Sequence, residues 1–76
     1  LLFYPNPATN SSKIYLSQAN ISHLTLYDIQ GMQVKSMHIS DNQQYFELSG
    51  DLSSGIYIIK ATLKNNTMAI SKLIIL

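Results

Sequence analysis

The chain has 76 residues, 46% of them apolar and 12% charged, with a formal net charge of +1 and no cysteine. A chain of that length makes one domain that buries only about 60% of its unfolded surface, and it has neither a disulfide nor a four-ligand metal cluster to staple it. The five cations are lysines scattered at positions 13, 35, 60, 64 and 72, which excludes a nucleic-acid footprint, and no apolar run reaches the ~20 residues of a membrane-spanning helix.

Short runs of Ile, Tyr, Thr, Val and Leu, separated by Asn, Ser, Gly and Asp, read as strands, and no window sustains a helical apolar period. Leu1 to Tyr4 is expected to be a short opening strand, halted by Pro5-Asn6-Pro7 because proline cannot donate to a ladder. A polar loop, Ala8 to Ser12, follows it. Lys13 to Ser17 reads as a strand with Ile14 and Leu16 on one face. Ser22 to Ile29 is a third, with Leu24 and Leu26 inward and Thr25 and Tyr27 opposite.

Gln30-Gly31 makes a turn in which Gly31 takes positive φ, with Asp28 capping it. Gln33 to Ser40 is the return strand. Its apolar positions, Val34 and then Met37 and Ile39, slip by one, which predicts a β-bulge near Ser36. After a turn at Ser40 to Gln43, Gln44 to Ser49 carries Phe46 and Leu48 on one face. The loop from Gly50 to Ser54 supplies Leu52 as a plug under the fold. Gly55 to Leu63 is the longest strand, with Tyr57, Ile59, Ala61 and Leu63 on one face and Ile56 and Ile58 on the other. With both faces apolar it is expected to be central and covered on two sides. Lys64-Asn65-Asn66-Thr67 is a hairpin loop, and Met68 to Leu76 closes the sheet.

About seven short, mostly antiparallel strands with turn signals every ~8–12 residues describe an all-β, immunoglobulin-like β-sandwich. The Cys…Trp…Cys pattern of true immunoglobulin domains is absent, and an open barrel is the alternative. The neutral polar residues suit an extracellular or envelope domain. The start, Leu-Leu-Phe-Tyr-Pro, has no initiator Met or basic leader, so residues 1–76 read as a single domain excised from a longer parent.

Few residues could carry chemistry, and no cofactor is expected. His23 and His38 lie on neighbouring expected strands without an obvious third ligand, and read as surface histidines. Asp28, Asp41, Glu47 and Asp51 lie in separate elements, and Asp41 and Asp51 sit at turns where aspartate accepts backbone N–H groups. No serine stands in a nucleophile-elbow pattern and no glycine-rich phosphate loop is present. The domain therefore reads as non-catalytic, with no small-molecule substrate. Asn10-Ser11-Ser12, Asn20-Ile21-Ser22 and Asn65-Asn66-Thr67 match the glycosylation acceptor but are explained by Asn in turns. Tyr15, Tyr27, Tyr45 and Tyr57 fall on separate strands, where tyrosine is a good β-former, rather than on a carbohydrate platform.

Tyr4-Pro5-Asn6-Pro7 followed by a Ser/Thr/Asn loop resembles the opening motif of the type A C-terminal sorting domains of the type IX secretion system, found at the end of secreted and cell-surface proteins of the Bacteroidetes. Leu24 to Val34 resembles that family's strand–glycine–strand hairpin, Asp51-Leu52-Ser53-Ser54-Gly55-Ile56-Tyr57 with Lys60 its L-x-x-G-x-Y-x-x-K segment, and Lys72 to Leu76 its closing strand. The resemblance covers essentially the whole chain, in order. It marks Tyr4, Pro5, Asn6, Pro7, Gly31, Val34, Leu52, Gly55, Tyr57, Lys60 and Lys72 as sorting-motif residues, either recognised or supporting the fold. Met32 stands where the family usually has Lys or Arg, and the chain finishes on Leu76 rather than a basic or polar residue. Recognition through backbone edges and shape is therefore expected, rather than through a basic tag.

The resemblance implies a targeting role. A parent with an N-terminal cargo domain would cross the periplasm, pass the outer-membrane translocon, and reach the cell surface or the medium. A sortase-like protease would then remove the domain. The terminal hairpin, Gly55 to Leu76, is the expected docking surface, and weak self-association through an edge strand is a further expectation. An immunoglobulin-like adhesive or carbohydrate-binding module, or a structural spacer, is the competing expectation.

Overall fold

Alternating inward and outward side chains fix seven strands and no helix among the residues that the computed structural model describes, 3–9, 13–16, 20–48 and 52–76. In chain order they are β1 (Phe3–Tyr4), β2 (Lys13–Leu16), β3 (Ile21–Tyr27), β4 (Gln33–His38), β5 (Tyr45–Glu47), β6 (Gly55–Leu63) and β7 (Met68–Ile75). They form two antiparallel sheets, a three-stranded one in the order β1-β2-β5 and a four-stranded one in the order β4-β3-β6-β7. This is the expected all-β sandwich and not an open barrel.

The core lies between the sheets. Ile14, Leu24, Leu26, Ile59, Leu73 and Ile75 are its fully buried large residues, and Phe3 meets Phe46 edge-on from the three-stranded side at 6.2 Å. Leu52 is buried as the expected plug. No buried polar side chain occurs among the described residues. Each fully buried Leu, Ile or Phe stabilises the fold by roughly 1.5–3 kcal/mol, set against an ordering cost of similar total size.

Four expectations need correction. The bulge in β4 lies at Val34 and not near Ser36: Leu26 opposes Lys35 while Tyr27 opposes Gln33, so Val34 is the extra residue. It sits beside the Gly31 turn, where the hairpin changes direction, and Val34 is exposed as a result. β6 is central, as expected, but covered on one face only. Ile56 is 45% exposed, because no layer packs outside the four-stranded sheet.

The third correction concerns Ala8, which is not part of a polar loop. It is buried and forms a parallel bridge with Ile75. Asp41, the fourth, pairs with the Lys64 ammonium, and it is Gln43 that accepts the Ser40 N–H in that turn. Asp51 and the Asn10 acceptor lie outside the described residues. Sequence reading also missed a second irregularity, between Ile21 and His23 against β6, where the Ser22 hydroxyl donates to the Thr62 carbonyl at 3.0 Å.

Candidate functional site

The opening motif and the closing strand meet. After β1 the chain leaves the three-stranded sheet, turns through Pro5-Asn6-Pro7, and reaches the outer edge of β7. There the Asn6 side-chain amide acts like a backbone unit. Its Nδ2 donates to the Lys72 carbonyl at 2.7 Å, and its Oδ1 accepts the Ile74 N–H at 2.9 Å. One step further, the Ala8 N–H donates to the Ile74 carbonyl and the Leu76 N–H donates to the Ala8 carbonyl, both at 2.7 Å. Four hydrogen bonds therefore clasp the two ends of the sequence, and residues 72, 74 and 76 face this clasp as the two-residue period of a strand requires. In a regular parallel ladder continued from Ala8, the backbone of Asn6 would meet Lys72 and Ile74, and here its side chain takes that place.

This contact was not legible beforehand. Its signals were an apolar Ala8 inside an otherwise polar stretch and an asparagine between two prolines, neither of which names a partner. Its consequence is specific. Half of the β7 edge is already paired, while the outward-facing backbone of Ile70 meets no described residue.

The remaining motif residues fall into two groups. Gly31 takes φ +85° in the β3–β4 turn, where Asp28 Oδ1 accepts the N–H groups of Gln30 (2.9 Å) and Met32 (3.0 Å), as expected for a capping aspartate. Gly55 takes φ +152° at the start of β6. Open space surrounds the position of a Cβ at both glycines, so backbone conformation, not crowding, calls for glycine there. Tyr57, two residues on, is buried, and its hydroxyl donates to the Ser53 carbonyl at 2.6 Å. Leu52, Gly55 and Tyr57 thus form one corner. The leucine fills the core, the glycine turns the chain into the strand, and the tyrosine ties the strand back to the loop, much as a tyrosine corner does in immunoglobulin-like sandwiches.

Lys60 and Lys72 lie on the solvent face of the terminal hairpin, on neighbouring strands. Around them the same face carries Ile56, Ile58, Ile70 and Ile74. Tyr4 is exposed on the three-stranded sheet and Val34 is exposed at the opposite side of the four-stranded one. The structure therefore brings Asn6 and Lys72 together and gathers Leu52, Gly55 and Tyr57 in a second group, while Gly31 and Val34 stand apart.

No grouping of three or more His, Cys, Asp or Glu that could hold a metal occurs among the described residues. His23 and His38 do oppose each other in the β3–β4 register, but His23 Nε2 hydrogen-bonds Ser36 Oγ at 2.7 Å. Asn65 lies in the β6–β7 turn, where its Oδ1 accepts the Thr67 N–H, and Asn20 takes positive φ just ahead of β3. Tyr15, Tyr27, Tyr45 and Tyr57 are on separate strands, yet Tyr15 stacks on Tyr4 at 5.5 Å and meets Tyr45 at 5.6 Å. Tyr4 and Tyr15 lie nearly parallel, so their facing surfaces are taken up by each other, and Lys13 Nζ stands 5.0 Å over the Tyr45 ring.

The fold is thus an all-β sandwich whose first and last motifs are clasped together. Residues 2–76 match the family described as the secretion system C-terminal sorting domain, and the chain belongs to that family. As a member it is a sorting domain of the type IX system, a signal for export to the cell surface or the medium. It is also similar to an endo-acting ulvan lyase of Formosa agariphila, 31% identical over 95% of this chain and 14% of that protein. A second relative, ulvan lyase NLR42 of Nonlabens ulvanivorans, is 26% identical over the same shares of each chain. The chain thus spans about a seventh of the length of these relatives.

Proposed function

We propose that this domain is a non-catalytic, folded export signal that docks on type IX translocon components through its terminal hairpin, Gly55 to Leu76, after its parent has crossed the periplasm. A sortase-like protease then separates it from an N-terminal cargo domain. The observation that carries the proposal is the clasp of Asn6 and Ala8 on β7, which makes the closing strand part of a finished tertiary surface. Docking takes place on the part of the hairpin that the clasp leaves open, the Ile70 edge and the outer face. The motif residues divide accordingly. Asn6 holds the closing strand, Pro5 and Pro7 shape the crossover that brings it there, Tyr4, Gly31, Val34, Leu52, Gly55 and Tyr57 support the fold, and Lys60 and Lys72 belong to the contacted surface.

The two ulvan lyases are several times longer than this chain, so an ulvan lyase is one class of cargo consistent with it. Deletion of Met68 to Leu76 from a parent protein tests the docking role. The truncated parent is expected to accumulate in the periplasm, as measured by fractionation and immunoblotting. Normal surface delivery of the truncated parent overturns the proposal.

A further inference from the structure

The outer face of the four-stranded sheet has a charge pattern that the fold does not require. Lys60 opposes Ile70 and Lys72 opposes Ile58, so the two lysines are diagonal neighbours on adjacent strands. Diagonal partners of this kind are about 7–8 Å apart, within reach of long side chains. Neither ammonium meets a carboxylate among the described residues. The ion pair present there joins Lys64 to Asp41, at the other end of the hairpin. The described acids are all committed elsewhere: Asp28 to its turn, Asp41 to Lys64, and Glu47 to the other sheet. Around the lysines Ile70 is 69% exposed, and Ile56 is also exposed. A positive, apolar sheet face is thus left open beside a β7 edge that is half closed by the clasp.

We infer that this face, with Lys60 and Lys72 at its centre, is the specificity surface of the export signal, and that it fits an acidic protein surface. The partner presents apolar side chains flanked by two carboxylates spaced to meet the two ammoniums. Charge complementarity selects that occupant, because paired lysines on an apolar patch steer and discriminate a carboxylate-bearing surface. An anionic membrane is a poorer match, since basic segments that hold to lipid use clusters of roughly four to eight Lys or Arg. The half-closed edge points the same way. A partner reads mainly side chains on the face, and backbone pairing is left to the short stretch around Ile70.

The inference rests on the sorting role, and its test separates the two. The 76-residue chain is fused to the C-terminus of a secreted reporter in a bacterium with a type IX system, and surface reporter is measured. Lys60→Glu/Lys72→Glu is expected to lower surface delivery at least about tenfold, while Lys60→Arg/Lys72→Arg stays near wild type and thermal unfolding of the purified fusions is unchanged. Lys60→Gln/Lys72→Gln, which removes charge without reversing it, serves if the Glu pair unfolds, and is expected to fall in between. Carbodiimide coupling in cells is expected to join Lys60 or Lys72 to an envelope protein in the wild type and not in the Gln pair. If the wild-type fusion is exported and the folded charge variants are exported equally, the face assignment is overturned. Failure of the wild-type fusion itself to be exported overturns the sorting reading instead. Binding of the wild-type fusion, but not the Glu pair, to phosphatidylglycerol vesicles overturns the choice of a protein partner.

Discussion

Tyr57 carries two duties in one side chain. Its ring lies in the core among buried Leu52 and Ile59, while its hydroxyl reaches back to the Ser53 carbonyl. Tyr57→Phe keeps the first and removes the second. The expected loss is about 1 kcal/mol, the net value of one such hydrogen bond, read as a fall in Tm of roughly 4–8 °C for a domain of this size. An unchanged Tm would show that the corner is held by packing alone. The burial of this tyrosine was legible in the alternation of Tyr57, Ile59 and Ala61 along the strand. The acceptor was not, because Ser53 is one of several polar residues in the preceding loop and only the path of the chain selects it.

Among the elements, the stretch from Asn6 to Ala8 is where sequence reading fell shortest. Ala8 was expected in a loop, and proline was expected only to stop a strand. In the structure the prolines shape a crossover between sheets, and Asn6 supplies the two hydrogen-bonding groups that a strand residue would supply from its backbone. Asn6→Ala is expected to cost about 1–2 kcal/mol, for two exposed bonds, and to speed amide exchange at Ile74 more than at Leu73, whose partner is Tyr57. Asn6→Asp is not expected to rescue it, since a carboxylate oxygen would face the Lys72 carbonyl. Equal exchange at Ile74 in the wild type and Asn6→Ala proteins would remove the clasp from the account. β4 makes the complementary point. Its one-residue slip was visible in the spacing of Val34, Met37 and Ile39, but its position was set by the turn geometry around Gly31 and Asp28.

At the level of the whole molecule, an ion pair joins two loops that are distant in sequence. The Lys64 ammonium, hydrogen-bonded to Asp41, holds the Asp41 carboxyl below its ordinary value of 3.8. It links the hairpin loop after β6 to the turn that leads into β5. The folded-state value is the lower one, so the stabilisation is present above the ordinary value and is lost as pH falls from there through the depressed one. Because the pair is exposed, the effect is small. Wild type is expected to be slightly more stable than Asp41→Asn at neutral pH, with the difference in Tm closing in acid below the ordinary aspartate range. A difference that persists undiminished in acid would assign it to packing.

The sequence by itself determined the strands, the inward-facing residues and the family, because period-2 alternation and turn chemistry are local and each motif is contiguous. Residues Gly55 to Leu63 show this most directly: their extent and their buried face follow from the spacing of apolar residues alone. The tertiary structure alone decided what covers what. The apolar outer face of β6, expected to be buried, is open, since a hydrophobic pattern says which sides of a strand are apolar and not whether a second layer exists to meet them. Asn6 finds Lys72 and Ile74 across almost the full length of the chain, and no local rule reaches that far. The clasped edge and the open lysine-bearing face exist only once the two sheets have closed on their core.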